Sequence, residues 1–543
     1  MKRVFSFFAY LAAIIIAVFE VYYLYSSTEL VLDSSLSSQG KTLNLVILVL
    51  EILGTLYIAI LYWHIARAWR YKKPRLIEKL PTPAPMVNII IPTYNEPFRI
   101  VKDTFDAAIS QQYPLDRFRV IVADDSPQPI ANLKKYVESK RGIYHRRTNR
   151  KGFKGGAINE VIRTYPADYF AIFDSDHVSK PDFLQNTVKL AIQDPKIFLV
   201  QERANFVNTG SWMRKASAFI HSQFFGIFQR SRHLSRTPIF AGTTGLLNQE
   251  ILLKEGGILE DTIAEDTDTS IYLATKGYKG VFYDKIGTDG LVPWDPISGV
   301  RQIWRWNNGL TKSFRLRAKN VLFSKELPVF SKIDFLVTLF LPTLGVMLWL
   351  MNFILLYMLG VSIPIIRPGA SNLANSFLFL VAPTLVSLST IFMGVSALLI
   401  DAEVQTKYHQ LPLIKKVIGI TLFSLYSMAI QPFMLSAVIK GLFGSKTIFN
   451  RTPKSPKQST QTPTKIKYKY AAGAIVLFLI SLVFFYATYI TFITKDPRIG
   501  WFSITAITSA IPMIFVITGF KGLEKFIEEH STISVKDLLE REK

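Results

Sequence analysis

VNIIIPTYNEP, residues 87–97, starts as an apolar run and passes directly into a polar cluster. Two later stretches repeat this pattern, RVIVADD at 119–125 and YFAIFDSDH at 169–177. Short β-rich runs separated by amphipathic segments predict a three-layer α/β domain with a largely parallel sheet. We expect its strands at Val87–Pro92, Arg119–Ala123, Tyr169–Phe173 and Phe198–Gln201.

Carboxylates follow two of these strands, at Asp124 and at Asp174 with Asp176. Open α/β sheets bind ligands at the carboxyl ends of their strands, so these side chains predict a binding site. Asp174 and Asp176 can both offer oxygens to a hard cation beside a diphosphate, which predicts Mg²⁺ or Mn²⁺ as cofactor. A turn or helix-cap role is the alternative interpretation of this Asp-x-Asp.

The composition points to a protein that is part membrane and part globular domain. The 543 residues are 49% hydrophobic and have a net charge of +23, and their mean hydropathy is +0.25. The charge suits nucleic acid, anionic lipid or a phosphate-bearing substrate, but acidic strand ends argue against nucleic acid as the partner. With no cysteine, the chain has no disulfide and no thiolate zinc site.

Residues 1–75 are predicted to form two transmembrane helices, at Val4–Tyr25 and Leu43–Ile65. A secretory signal peptide is the alternative for the first. The stretch Ser26–Gly40 between them has no Lys or Arg, whereas basic residues are frequent in 67–75. The positive-inside rule therefore places the N-terminus and the chain after residue 66 in the cytoplasm.

A cytosolic domain is expected at 80–330, followed by a C-terminal membrane region at 331–520 and a cytosolic charged tail at 521–543. A seventh span would put the basic loop 440–469 outside, so six spans are preferred. The predicted parts of the C-terminal membrane region are spans at about 335–359, 377–400, 471–493 and 501–520, an interfacial helix at 417–442 and a loop at 444–467.

Glu265 and Asp266 form a further acidic pair. Sugar transfer with inversion needs one base to take the proton of the acceptor hydroxyl, and Asp266 is the candidate. The alternative is that Asp261, Glu265, Asp266 and Asp268 only enrich a helix N-terminus and stabilise its dipole.

Gln302, Arg305 and Trp306 form a Gln-x-x-Arg-Trp motif. Arg can clamp a diphosphate through two hydrogen bonds, Gln can add further ones, and an indole face can support a sugar ring. The alternative is a Trp-rich amphipathic helix at the membrane interface.

Together these motifs resemble the cellulose synthase superfamily of processive family-two glycosyltransferases, which includes hyaluronan, chitin and mannan synthases. That family shows a lone Asp, an Asp-x-Asp, a Thr-Glu-Asp and a Gln-x-x-Arg-Trp in this order, and Ala264 replaces the Thr here. The segments IPTYNEP (91–97), NRKGFKGGAIN (149–159) and FAGTTG (240–245) are also similar. The resemblance implies a Rossmann-like domain of GT-A type, inserted between transmembrane segments.

The resemblance also implies roles for individual residues. Tyr94, Glu96 and Asp124 would bind uridine, and Lys154 would lie near the diphosphate. Asp174 and Asp176 would serve nucleotide and metal, with Glu265 and Asp266 as catalytic carboxylates. Gln302 and Arg305 would hold the diphosphate, and Trp306 would support the acceptor sugar.

FNRTPK, residues 449–454, is similar to the gating loop that closes over the nucleotide in these synthases. Phe449, Thr452 and Lys454 are its candidate residues, and a solvated linker is the alternative. The short tail after Lys521 predicts no cyclic-dinucleotide-binding extension.

The resemblance implies an inverting, processive hexosyltransferase in the plasma membrane, with its catalytic domain in the cytoplasm. It would polymerise a β-linked polysaccharide from a nucleotide-diphosphate sugar, with a UDP-sugar favoured, and move the growing glycan across the bilayer. A non-processive enzyme that makes a glycolipid or polyprenyl-phosphate sugar is the enzymatic alternative. A basic membrane receptor or a nucleic-acid-binding protein is the alternative from another class.

Overall fold

The computed structural model describes residues 38–357, 392–404 and 430–444, with scattered positions in 7–28 and 406–416. Its centre is an eight-stranded sheet with the order β3-β2-β1-β4-β7-β6-β8-β5. The strands are β1 Val87–Thr93, β2 Phe118–Asp124, β3 Ile143–Arg146, β4 Tyr169–Ile172, β5 Val178–Ser179, β6 Ile197–Phe206, β7 Gly245–Asn248 and β8 Lys279–Gly290.

Helices connect these strands and continue beyond the sheet. Within the described part of the chain they are α1 Ser38–Arg70, α2 Phe98–Ile109, α3 Leu133–Ser139, α4 Phe153–Thr164, α5 Phe183–Ala191, α6 Trp212–Gln223, α7 Arg230–His233, α8 Gln249–Lys254, α9 Glu265–Thr275, α10 Pro296–Phe323, α11 Val329–Tyr357, α12 at 392–404 and α13 Gln431–Phe443. A π-helical turn, Phe224–Gln229, joins α6 to α7.

The central strand β1 explains the layered architecture. Side chains alternate between the two faces of a strand; accordingly, Ile89 and Ile91 pack into one core with Phe105 of α2. Ile90 packs into the opposite core with Ile158 of α4. All three isoleucines are fully buried, and each contributes about 1.5–3 kcal/mol of hydrophobic stabilisation. The sheet is therefore covered on both faces, as expected for three layers.

The sheet is mixed, which corrects the expectation of a largely parallel one. Strands β1, β2, β3 and β4 pair in parallel, but β7 runs antiparallel to both β4 and β6. β6 and β8 pair in parallel, and β5 runs antiparallel to β8. The expected strands are present with shifted ends. β3, β5, β7 and β8 were not predicted, because their sequences lack a distinct apolar alternation.

Two described helices contain segments long and apolar enough to cross a membrane, Ile52–Arg70 in α1 and Val329–Met347 in α11. They overlap the predicted spans Leu43–Ile65 and 335–359. This finding concerns length and composition alone, so the number of spans and their orientation stay predictions.

The described part of the predicted interfacial helix 417–442 is helical from Gln431, beside Pro432. The predicted spans 471–493 and 501–520, the loop 444–467 after Gly444 and the tail lie outside the described residues.

A buried ionic network ties α12 to the sheet. Arg203 of β6 donates to Asp284 at 2.7 Å and to Asp401 of α12 at 2.8 Å. Arg230 also pairs with Asp284, and it reaches Glu403 at 3.0 Å. Removing one partner would leave a buried charge uncompensated, which is strongly destabilising. The network therefore holds α12 against the domain through charges as well as apolar contacts.

Candidate active site

Parallel pairing brings three loops to one edge of the sheet. β1 lies between β2 and β4, and its last residue, Thr93, is in register with Asp124. Asp174 follows β4 by two residues, and its backbone N–H donates to Thr243 Oγ1 at 3.0 Å. The carboxyl ends of parallel strands meet at one edge, so residues far apart in sequence come together here.

Asp124 is buried at the end of β2 and its carboxylate is held by two donors. The backbone N–H of Ser126 donates to Oδ1 at 2.9 Å, and the hydroxyl of Tyr144 donates to Oδ2 at 2.6 Å. The next residue, Asp125, is paired with Arg147 instead. The two adjacent carboxylates therefore have different surroundings, and Asp125 holds the loop that leads to α4.

Tyr94 and Glu96 lie in the loop after β1. The guanidinium of Arg150 lies over the ring of Tyr94, 3.5 Å from its centroid, which is a cation–π contact. Glu96 is buried. Arg150 belongs to the segment NRKGFKGGAIN, but no local signal marks it as a site residue.

Asp174, Asp176 and His177 form a compact group of metal-ligand side chains. Their candidate ligand atoms all lie within 4.8 Å of one another. Asp176 and His177 are buried, and Nε2 of His177 makes no hydrogen bond to any described residue. Two carboxylates and an imidazole without thiolate suit a divalent cation such as Mn²⁺. The residues therefore fit the predicted metal, and His177 joins the two predicted ligands.

Lys154, at the start of α4, connects this group to the loop before β7. Its ammonium donates to Asp174 Oδ1 and to the Gly242 carbonyl, both at 2.7 Å. Burial alone would lower the pKa of Lys154, but Asp174, Glu265 and Asp266 outweigh that effect and the net pKa is raised. The lysine therefore stays charged. A Cβ on Gly242, at φ +80°, would approach Asp266 to 2.8 Å, so the close packing favours glycine there.

Glu265 and Asp266 begin α9 and face this charged cluster. Burial, reinforced by Asp266, raises the pKa of Glu265 to about 7, although Lys154 and Arg305 oppose the rise. Burial also raises the pKa of Asp266, against the Thr267 N–H that donates to its Oδ1 at 2.7 Å. Two carboxylates with raised proton affinity next to fixed cations are typical of acid–base sites.

The other acidic residues of this region have a structural partner. Arg317 of α10 reaches Asp261 at 2.6 Å and Asp268 at 3.1 Å. Glu265, Asp266 and Asp268 do stand in the first turn of α9, as the helix-dipole alternative requires. The arrangement nevertheless separates the two pairs, because Asp261 and Asp268 bind Arg317 while Glu265 and Asp266 face Lys154 and Arg305.

The Gln-x-x-Arg-Trp motif lies within α10, where Gln302, Arg305 and Trp306 share a helical face through their spacing of three and four residues. Burial lowers the pKa of Arg305, while Glu265, Asp174 and Asp266 raise it, so the guanidinium adjoins the acidic cluster. Trp304 points elsewhere and donates to Ser436 Oγ of α13 at 2.9 Å.

Trp306 belongs to an aromatic chain that ends at the metal-ligand group. Its ring meets His221 edge-on, with centroids 5.8 Å apart. His221 stacks on Phe206 at 4.1 Å, and Phe206 meets His177 edge-on at 5.9 Å. His221 and Phe206 were not predicted, because no local motif relates β6 or α6 to this site.

The structure thus brings together Lys154, Asp174, Asp176, Glu265, Asp266 and Arg305, and places Asp124, Tyr94 and Glu96 along the same sheet edge. The gating-loop candidates Phe449, Thr452 and Lys454 lie outside the described residues.

Residues 88–255 match the family described as Glycosyl transferase family 2. The match begins in β1 and includes the strand ends that carry Asp124 and Asp174. This chain contains a family 2 glycosyltransferase domain. The mixed α/β sheet with its acidic edge agrees with the predicted GT-A type of fold.

Two curated relatives match a longer part of the chain than the 168 residues of the family model. The cellulose synthase catalytic subunit (UDP-forming) of Pseudomonas fluorescens is 29% identical over 276 residues, covering 50% of this chain and 37% of that protein. Glucomannan 4-beta-mannosyltransferase 7 of Arabidopsis thaliana is 31% identical over 260 residues, covering 46% of this chain and 47% of that protein. The predicted relationship to the cellulose synthase superfamily is confirmed. The chain spans less than half the length of these relatives.

Among solved structures, a mannosyltransferase from Pyrobaculum calidifontis in complex with GDP-Man and Mn²⁺ aligns with a TM-score of 0.43 at 22% identity. The alignment covers 73% of this chain and 100% of that one.

Proposed function

We propose that this family 2 glycosyltransferase is an inverting, processive enzyme that polymerises a β-linked polysaccharide from a nucleotide-diphosphate sugar. The observation that carries the proposal is the cluster in which Asp266 and Glu265 face Lys154, Asp174 and Arg305. It combines a candidate base with cations suited to a leaving diphosphate, at the sheet edge where ligands bind.

The donor would bind along the edge from Asp124 to Arg305. Asp124 and Glu96 offer acceptors to the nucleoside, and the ring of Tyr94 offers a stacking surface once Arg150 moves or joins the stack. Asp174, Asp176 and His177 would hold a divalent cation, which when bound neutralises charge on the diphosphate. Lys154 and Arg305 would hold the diphosphate oxygens, with Gln302 adding a hydrogen bond.

Asp266 would act as the base. As the acceptor hydroxyl attacks the anomeric carbon, the new glycosidic bond forms, the bond to the diphosphate breaks and the hydroxyl proton passes to the Asp266 carboxylate. The raised pKa of Asp266 increases its proton affinity. The diphosphate leaves with both electrons of the broken bond, and its charge is balanced by Lys154 and Arg305.

Processivity requires that the extended acceptor stay bound between transfers. Trp306 supports this part of the proposal, because its indole is held against His221 and it directly follows Arg305 in the chain. The non-processive alternative shares the donor site and the base. The length of products from purified protein distinguishes the two. Long chains that are present early in the reaction support the processive enzyme, and single additions support the alternative.

We propose that the enzyme lies in the plasma membrane with the catalytic domain in the cytoplasm and passes the glycan across the bilayer. The apolar segments Ile52–Arg70 and Val329–Met347 support a membrane location. Membrane-impermeant labels at Lys73, Ser455 and Lys536 test the orientation. All three should react only from the cytoplasmic side, and exterior labelling at Ser455 would contradict the six-span arrangement.

The decisive experiment incubates the full chain in lipid with a panel of UDP- and GDP-sugars and either Mg²⁺ or Mn²⁺. Nucleotide release identifies the donor, and linkage analysis shows whether the product is β-linked. Release of nucleotide from no donor of the panel would overturn the proposal.

A further inference from the structure

A second site lies where α1 ends, apart from the residues of the catalytic cluster. A cavity of about 490 Å³ is lined by Arg67, Arg70, Lys72, His233 and Leu234. Three of these residues carry a positive charge, and no Asp or Glu is among them. None of the predicted site residues lines this cavity.

Every charged or polar side chain of the lining is a hydrogen-bond donor. Arginine and lysine side chains have no acceptor. Burial, with Arg236 adding to it, lowers the pKa of His233 to about 4, so its imidazole is neutral. The Phe282 N–H donates to Nδ1 of His233 at 3.2 Å, which places the proton on Nε2. A lining of donors alone is complementary to an oxyanion.

Arg67 is held rigidly, whereas the other two cations are exposed. The guanidinium of Arg67 donates to Ser235 Oγ at 2.6 Å and to the Ser231 carbonyl, and it lies 5.4 Å from the ring centroid of Phe330. Arg70 and Lys72 are exposed and make no hydrogen bond with their side chains to described residues. One fixed cation beside two accessible ones is a built anion site that solvent can reach.

The cavity adjoins apolar surface on the same helix. Arg67 and Arg70 stand in the last turn of α1, and Leu234 at the cavity is 41% exposed. Further toward the N-terminus, α1 exposes a stripe of apolar side chains at helical spacing. Each is 43–50% exposed, and they are Leu45, Val49, Ile52 and Leu56. Cations at the end of an apolar helix are the arrangement that anionic lipid head groups bind.

We propose that this cavity binds the phosphate of an anionic lipid head group, with the acyl chains along the exposed face of α1. The inference rests on the membrane location proposed above, and it does not depend on the sugar-transfer activity. Free phosphate shares the chemistry of the head group, but the apolar surface at Leu234 and α1 favours the lipid.

Equilibrium binding of a fluorescent short-chain phosphatidylglycerol to the full chain, in neutral detergent micelles, tests the proposal. A phosphatidylcholine analogue with the same chains serves as the zwitterionic reference. Phosphatidylglycerol should bind more tightly, and Arg70→Gln or Lys72→Gln should each weaken its binding about fivefold. Arg75→Gln removes an exposed cation of the same segment that does not line the cavity, and it should leave binding unchanged.

Three outcomes would overturn the inference. The first is that phosphatidylglycerol and phosphatidylcholine bind equally tightly. The second is that Arg75→Gln weakens phosphatidylglycerol binding as much as the two lining variants do. The third is that inorganic phosphate displaces the lipid at equal concentration. The last would assign the site to free phosphate. The assay contains no sugar nucleotide, so its failure is distinguishable from a failure of the proposed transfer reaction.

Discussion

Nζ of Lys154 lies 2.7 Å from Oδ1 of Asp174 and donates to it, which joins the start of α4 to the loop after β4. The same ammonium bonds the Gly242 carbonyl. A single cation therefore holds two loops of the candidate site together and remains charged because of the carboxylates around it.

Lys154→Met should lower nucleotide-sugar turnover on the order of a hundredfold, because a fixed charge next to the leaving diphosphate is removed. Turnover and donor affinity measured at saturating metal check this. Lys151→Met, an exposed neighbour, is the matched control and should change turnover little. Similar losses in both variants would argue for a general effect of charge.

Asp176→Asn and His177→Gln should both weaken binding of the cation, since each removes one of three clustered ligands. Electron paramagnetic resonance of Mn²⁺ titrated into the protein measures this without a reaction. We expect Asp176→Asn to abolish transfer as well. Undiminished Mn²⁺ binding in both variants, or full turnover in excess chelator, would rule out the metal assignment.

Asp266→Asn should affect turnover and Asp268→Asn should affect stability, although the residues are two positions apart. The first should lower kcat on the order of a hundredfold with donor binding retained, because the base is lost. The second breaks a contact to Arg317 and should cost on the order of 2 kcal/mol of unfolding free energy with turnover largely kept. Steady-state kinetics and thermal melts on both variants separate these effects. Normal turnover in Asp266→Asn would refute its role as base.

Trp306→Ala should shorten the products, since a stacking platform worth about 1 kcal/mol is removed from the acceptor. Trp304→Ala is the matched control, because its indole donates to Ser436 of α13 on another face of the helix. We expect it to lower thermal stability and to leave product length unchanged. Sizing of radiolabelled products from both variants is the measurement, and unchanged length in Trp306→Ala would favour the non-processive enzyme.

Glu202→Gln should stabilise the protein increasingly as the pH rises. Glu202 is fully buried in β6, and neither carboxylate oxygen has a hydrogen-bond partner among the described residues. Burial raises its pKa well above the usual range, so the folded state keeps a proton that the unfolded chain releases above about pH 4.5. Its contribution to stability is therefore complete below that pH and is lost as the pH rises toward the folded pKa, by about 1.4 kcal/mol per pH unit.

Thermal melts of wild type and Glu202→Gln at pH 5 and pH 8 check the sign. The difference in Tm should be larger at pH 8, and Glu78→Gln, at an exposed position, should show no such trend. An equal difference at both pH values would indicate that the carboxyl is not held protonated.

The sequence by itself determined the strands that carry the chemistry and the order of the motifs. Mostly apolar runs such as Val87–Pro92 predict buried strands from local hydrophobicity, and Asp124, Asp174 and Asp266 are recognisable because each stands in a short motif. The match of residues 88–255 to family 2 covers the strands that precede Asp124 and Asp174 and ends before Asp266.

The tertiary structure alone decided which charges belong together. Asp266 and Asp268 are two residues apart in the first turn of α9, but Asp268 is paired with Arg317, 49 residues away, while Asp266 faces Lys154. The antiparallel β7 and the aromatic chain from Trp306 to His177 likewise depend on pairings between distant segments. Such contacts arise from packing and loop closure across the whole domain, and local propensity does not encode them.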